Sequence, residues 1–194
     1  MRRWIATLHT KKEKTNMNTE ALKVLSERRS VRSYKPEQIT AEELEAVLWA
    51  GMYAPTAKGC QDVVIVAVQD PEMLARVRRL NAEIMGKPDA DPYYGAPTVI
   101  LVLSDPEIQA NHELALLDGA AAETNMLNAA YAAGLGSCWI NRPQKMFETE
   151  EGKQMLRDMG LKDTLTGIAS IALGYADGET PQAKPRKEGY AVVF

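Results

Sequence analysis

The chain has 194 residues, with 23 Lys and Arg against 26 Asp and Glu and a formal net charge of −3. That length fits one globular unit or two very small ones, and a 45% hydrophobic, 25% charged composition excludes disorder as the main state. The charge is split: residues 1–35 carry ten Lys or Arg against three acids, and the rest of the chain is acidic. That local excess excludes a uniformly basic nucleic-acid binder and leaves the cations a small partner or the solvated role of a tail.

Residues 1–18 read as a polar basic extension, with Lys11, Lys12 and Lys14 close together and the apolar run Trp4–Leu8 too short for a secretory segment. Thr19 is a good N-cap, and Ala21, Leu22 and Leu25 follow at helical spacing to about Arg29. Ser30–Tyr34 reads as extended. A second helix starts after Thr40, where Glu43 three residues on completes a capping box, and Pro55 limits its end. Residues 54–62 (APTAKGCQD) have the composition of a loop.

Val63–Gln69 is a buried strand by its β-branched content, and Pro71 opens a helix reaching about Met85. A turn-rich connector (Gly86–Pro97) leads to a second buried strand, Thr98–Ser104. The longest helix runs from about Ile108 to Ala133 and is closed by Gly134. Ser137–Ile140 is a short strand, helices follow at Pro143–Phe147 and Glu150–Met159, and Thr166–Gly174 is a third long strand. The tail Tyr190–Phe194 reads as an apolar strand with nothing after it to pack on, which predicts that it joins another subunit's sheet. Strands alternating with helices give an α/β layered domain of four or five strands over residues 19–194. No apolar run approaches the roughly 20 residues that a membrane-crossing helix needs, so no membrane partner is expected.

Two cysteines (Cys60, Cys138) build neither a disulfide framework nor a four-ligand zinc site, and two histidines (His9, His112) leave little for metal chemistry. Both scarcities point to a reducing cytoplasm and to chemistry borrowed from a cofactor. The sequence holds no G-x-G-x-x-G after a strand, no phosphate loop, no H-E-x-x-H helix and no G-x-S-x-G elbow. Four weaker constellations remain. Arg28, Arg29, Ser30 and Arg32 offer three guanidinium forks and a hydroxyl for a phosphate ester, although cations at a helix C-terminus are favoured anyway. Lys184 and Arg186 lie on a proline-stiffened segment, or on a merely solvated linker. Pro55, Thr56, Ala57, Gly59 and Gln61 form a small-residue loop suited to a flat ligand, or to an ordinary turn. Cys138, Trp139 and Ile140 follow a helix stop, and their backbone amides face a cofactor or belong to plain core.

Taken in this order, these segments resemble the FMN-dependent nitroreductase family from about Thr19 to the C-terminus. The resemblance rests on R-R-S-V-R-S-Y (28–34), A-P-T (54–56) with Gln61, Y-G-A-P (94–97), G-L-G-S-C-W-I (134–140) and A-L-G-Y (172–175). It implies a three-layer α-β-α sandwich on a central mixed sheet of four to five strands, with the C-terminal strand exchanged within a homodimer that binds FMN at its interface. In that reading Arg28 and Ser30 grip the phosphate and ribityl chain, Arg29 belongs to the same cofactor-binding set, and Lys184 and Arg186 complete the phosphate site. Arg32 lies near the N1/O2 edge of the flavin, where positive charge favours the reduced ring. Pro55, Thr56, Ala57, Gly59 and Gln61 come from the other subunit. Asn81 meets the pyrimidine edge, or is a surface helix residue, and the amides around Ile140 and Asn141 approach N5. The implied reaction passes hydride from NAD(P)H through the flavin to a nitroaromatic, a quinone or a similar acceptor by a ping-pong mechanism.

Several residues depart from the family pattern. Gly59 stands where Asn is common, Asp62-Val63 where Pro-Trp is common, and Asn141 and Arg142 where many members carry small residues. Cys138 reads as a structural thiol, His112 as a surface residue, and Tyr93 and Tyr94 as either substrate-stacking or loop-packing aromatics. Two rival readings are a non-catalytic flavin-binding module for storage or sensing, and a thiol hydrolase built on Cys60 or Cys138 with His112.

Overall fold

Local sequence signals set the helix ends in the computed structural model, which describes residues 3–4 and 19–193. The basic extension expected over residues 1–18 lies outside the described residues apart from Arg3 and Trp4, and so does Phe194. Helix α1 (Glu20–Glu27) is capped by Thr19, whose side chain accepts from the Leu22 amide. Helix α2 (Ala41–Met52) carries both halves of its Thr40/Glu43 capping box. Helix α3 (Pro71–Ile84) begins on proline behind an Asp70 cap. Helix α4 (His112–Ala132) starts four residues later than the spacing suggested. Asp105 turns the chain over 105–109 by accepting from the Ile108 and Gln109 amides, and Asn111 is the true cap, accepting from the Glu113 and Leu114 amides. Helices α5 (Pro143–Glu148) and α6 (Glu150–Asp158) adjoin at Thr149.

Among the described residues six strands form two sheets: β1 (Arg3–Trp4), β2 (Val63–Val68), β3 (Thr98–Ser104), β4 (Gly136–Ile140), β5 (Thr166–Gly174) and β6 (Val192–Val193). The main sheet has the order β2-β3-β5-β4, and every pair in it is antiparallel. The expected mixed sheet is therefore corrected; the parallel component is a single bridge, Ser30 to Ser137, that lays the segment after α1 beside β4. The strand β2 is also less buried than expected, because it is an edge: only Val68 is fully buried, whereas every residue of β3 is. The tail strand β6 pairs with β1 of the same chain and stands apart from the main sheet.

Alternation along the central strands makes the three layers. Val99, Leu101 and Leu103 pack with residues of α3, α5 and α6 (Leu74, Val77, Met146, Met155) on one face. Ile100, Val102, Ile171 and Leu173 pack with Val47 of α2 and Met126 of α4 on the other. Among the described residues no helix is long and apolar enough to cross a membrane.

Candidate functional site

The arginine-rich segment is fixed along the β4 edge by backbone and one buried tyrosine. The Val31 amide donates to Ser137 O (3.0 Å), Lys35 N to Tyr175 O (3.0 Å) and Asp177 N to Ser33 O (2.9 Å). Buried Tyr34 shares its hydroxyl hydrogen between Val31 O (2.8 Å) and Ala172 O (3.1 Å). This brings Arg28, Ser30 and Arg32 to Cys138, whose thiol burial pushes up while the two guanidinium groups and Ser30 oppose the shift. Neither Arg28 nor Arg32 has an ion-pair partner among the described residues, so their charge is available to an anion. Arg29 turns back on its own helix: its Nη1 donates to Ser26 O (2.8 Å) and Arg28 O (2.6 Å), closing the end of α1. Lys184 and Arg186 lie on an exposed coil and make no polar contact with the Arg28–Arg32 cluster among the described residues.

The loop 55–61 sits elsewhere. Lys58, Gly59 and Gln61 all have left-handed backbone (φ 57°, 68° and 56°), at a cost on the order of 1 kcal/mol for each non-glycine residue. Two bonds hold that shape: Gln61 N donates to Thr56 Oγ1 (3.0 Å) and Ala57 N to Asp118 Oδ1 (2.8 Å). At Gly59 the positive φ explains why glycine is accommodated where a larger residue is common in the family. The loop enters β2 beside Ser104, at one corner of the sheet, whereas Ser30 meets β4 opposite Leu173, at the diagonal corner. The two corners are three strands, roughly 14 Å, apart across the sheet and roughly 20 Å apart along it. Within one chain the loop and the arginine cluster therefore stand at separate corners of the sheet.

Several side chains with internal duties were not singled out by the sequence. Asp62, at a family departure, is buried; its Oδ2 accepts from Ser104 Oγ (2.6 Å) and its Oδ1 from the Cys60 thiol (3.4 Å). Asp118 lies against it, and burial, then the neighbouring Asp62 carboxyl, hold Asp118 above the usual carboxylate range despite the Ala57 amide. Glu123 is wholly buried in α4 and neither carboxyl oxygen has a hydrogen-bond partner among the described residues; burial pushes it up to about 10. The spacing Ala115, Gly119, Glu123, Leu127 would have found it, because its three neighbours in that row read as an inward face.

Asn81 was expected at the flavin's pyrimidine edge or on the surface, and burial removes the surface reading. It is fully buried, its Nδ2 donates to Tyr93 Oη (2.9 Å), and its Oδ1 accepts from Arg142 Nε (2.7 Å). Tyr93 is buried as well, its hydroxyl 3.0 Å from Ser170 Oγ, which reaches Ile140 O at 3.2 Å. Burial pushes Tyr93 up to about 12, so it is loop packing with a polar anchor rather than a substrate-stacking ring. The thiol-hydrolase arrangement is not built: His112 Nε2 faces Gln144 (3.3 Å), Cys60 faces Asp62, Asp118 and Gln109, and Cys138 is buried.

Residues 25–175 match the model of the Nitroreductase family, and the chain belongs to that family. A nitroreductase of Bacteroides fragilis, solved with bound FMN, superposes with a TM-score of 0.81 at 30% identity over 91% of this chain and 99% of that one. A protein of Archaeoglobus fulgidus, provisionally named NADH dehydrogenase/NAD(P)H nitroreductase, is 31% identical over 82% of this chain and 87% of its own. An NADPH-flavin oxidoreductase of Vibrio harveyi is 28% identical over 85% of this chain and 69% of its own.

Proposed function

We propose that the protein is a homodimeric FMN-dependent oxidoreductase that moves hydride from NAD(P)H to a small-molecule acceptor such as a nitroaromatic or a quinone, in ping-pong fashion. The observation that carries this reading is the diagonal separation of the two candidate ligand sets, which become one site only when a second copy brings its loop to the first copy's arginine edge. Exposed Trp49, Met52, Tyr53 and Leu117 on α2, the turn after it and α4 supply apolar surface for that copy. A cavity of about 320 Å³ lined by Leu48, Met52, Thr56, Gln61 and Ile65 adjoins it.

The residues fit the cofactor. Arg28 and Arg32 have no ion-pair partner among the described residues, which suits a phosphate and an electron-rich ring edge. Ser30 adds a hydroxyl between them, and Lys184 and Arg186, exposed and uncommitted to acids, complete the phosphate charge. Pro55, Thr56, Ala57, Gly59 and Gln61 of the second copy cover the ring without bulk. FMN, when bound, supplies the redox chemistry at its N5. Ile140 and Asn141, at and just beyond the end of β4, would offer their backbone amides to that atom, and buried Cys138 and half-buried Trp139 would help exclude water from the ring. Two unpaired cysteines suit the reducing cytoplasm. The alternative of a flavin-binding module without turnover shares this site and differs only in failing to react with NAD(P)H.

Subunit complementation tests the shared site. Arg28→Glu and Thr56→Arg, expressed separately, are each expected to lose FMN. Co-expression with two affinity tags is expected to give mixed dimers that recover up to half the wild-type flavin, because one site per dimer is then intact on both sides. Mixed dimers that stay colourless would overturn the shared-site reading.

A further inference from the structure

Beyond the end of β4 the chain presents an arginine that is anchored at one nitrogen and open at the others. Arg142 is half-buried and precedes α5 without making a side-chain cap. Its Nε donates to Asn81 Oδ1 at 2.7 Å, and no carboxylate pairs with it among the described residues. Its two Nη groups have no acceptor there either, and they are not among the buried unpaired atoms, so they reach solvent.

The anchor has a fixed polarity. Ser170 Oγ spends its only hydrogen on Ile140 O, so Tyr93 Oη must donate to Ser170 and accept from Asn81 Nδ2. That orients the Asn81 amide with Oδ1 towards Arg142, the one orientation that can receive a guanidinium. With Asn81 and Tyr93 fully buried, a slackened bond would strand a polar atom in the core, at a cost of about 1–3 kcal/mol. Four hydrogen bonds therefore tie the guanidinium to the carbonyl of Ile140, two residues upstream of it.

We infer that Arg142 selects electron acceptors carrying a carboxylate. This rests on the functional reading above, in which Ile140 and Asn141 flank the reactive edge of the ring. A pre-oriented guanidinium with two free Nη groups matches a carboxylate in paired hydrogen bonds, and its anchor removes most of the ordering cost of a free arginine. Arg142 is thus a specificity residue, while Asn81, Tyr93 and Ser170 position it.

The test compares 4-nitrobenzoate with nitrobenzene, acceptors that differ by the carboxylate, on FMN-loaded wild type, Arg142→Gln and Arg142→Lys. The ratio of kcat/KM for nitrobenzoate over nitrobenzene is expected to fall at least tenfold in the Gln variant and to recover in part in the Lys variant. Calorimetric binding of benzoate gives a readout independent of turnover, with Kd expected to rise at least tenfold in Arg142→Gln. Tyr93→Phe, which breaks the anchor but keeps the charge, is expected to lower the same ratio severalfold. Equal losses on both acceptors, or a change confined to KM for NAD(P)H, would overturn the inference, the latter by assigning Arg142 to the donor's phosphates. A protein that binds no FMN fails the functional reading itself, which its spectrum shows before any acceptor is added.

Discussion

Glu123 is the side chain least at ease in its surroundings. Its carboxyl has an ordinary value of 4.5, held near 10 in the folded chain by burial alone. Below pH 4.5 folded and unfolded chains both carry the proton, and the residue costs nothing on that account. As pH rises from there towards 10 the unfolded chain releases the proton and the folded one keeps it, so stability is lost over that window. At pH 7 the loss is about 3 kcal/mol. Glu123→Gln keeps size and polarity and removes the titration. Denaturant unfolding at one protein concentration is expected to show the variant more stable by about that amount at pH 7, with the gap closing near pH 5. Parallel stability profiles for the two proteins would show that the carboxyl is ionised and paired in the folded protein.

Among the elements, the junction of α5 with β5 controls how β4 ends. Gly167 lies so close to Pro143 that an added Cβ would fall 2.3 Å from the carbonyl carbon and oxygen of that residue. Gly167→Ala must push α5, and with it Arg142, away from the sheet. The expected cost is about 1–3 kcal/mol, read as a lower Tm and weaker FMN retention; an unchanged Tm would mean that the junction yields freely. The sequence made most such elements legible, since the Thr40/Glu43 box, Pro71 and the β-branched runs of β3 and β5 are local signals. It misjudged the start of α4 and the burial of β2. The start of α4 went to Asn111 because Asp105 captured the preceding turn, and β2 was read as buried because alternation does not reveal which strand is an edge.

At the scale of the whole molecule, the two cationic segments and the small-residue loop were legible as candidate ligands by residue type, but their arrangement was not. Nothing local in Arg29 says that it turns back on α1, and nothing in Asn81 says that Arg142 and Tyr93 occupy it. Only the sheet order reveals that the loop and the arginine edge stand at opposite corners, which makes a second copy part of the proposed site. Whether this chain binds and reduces a flavin is read from the visible spectrum of the purified protein, recorded without oxygen before and after NAD(P)H. The protein is expected to be yellow, or to turn yellow on adding FMN, with a flavin absorbance that bleaches with NAD(P)H and returns when a nitroaromatic or quinone is added. A protein that takes up no FMN, or holds one that NAD(P)H leaves unbleached, would contradict the proposed function.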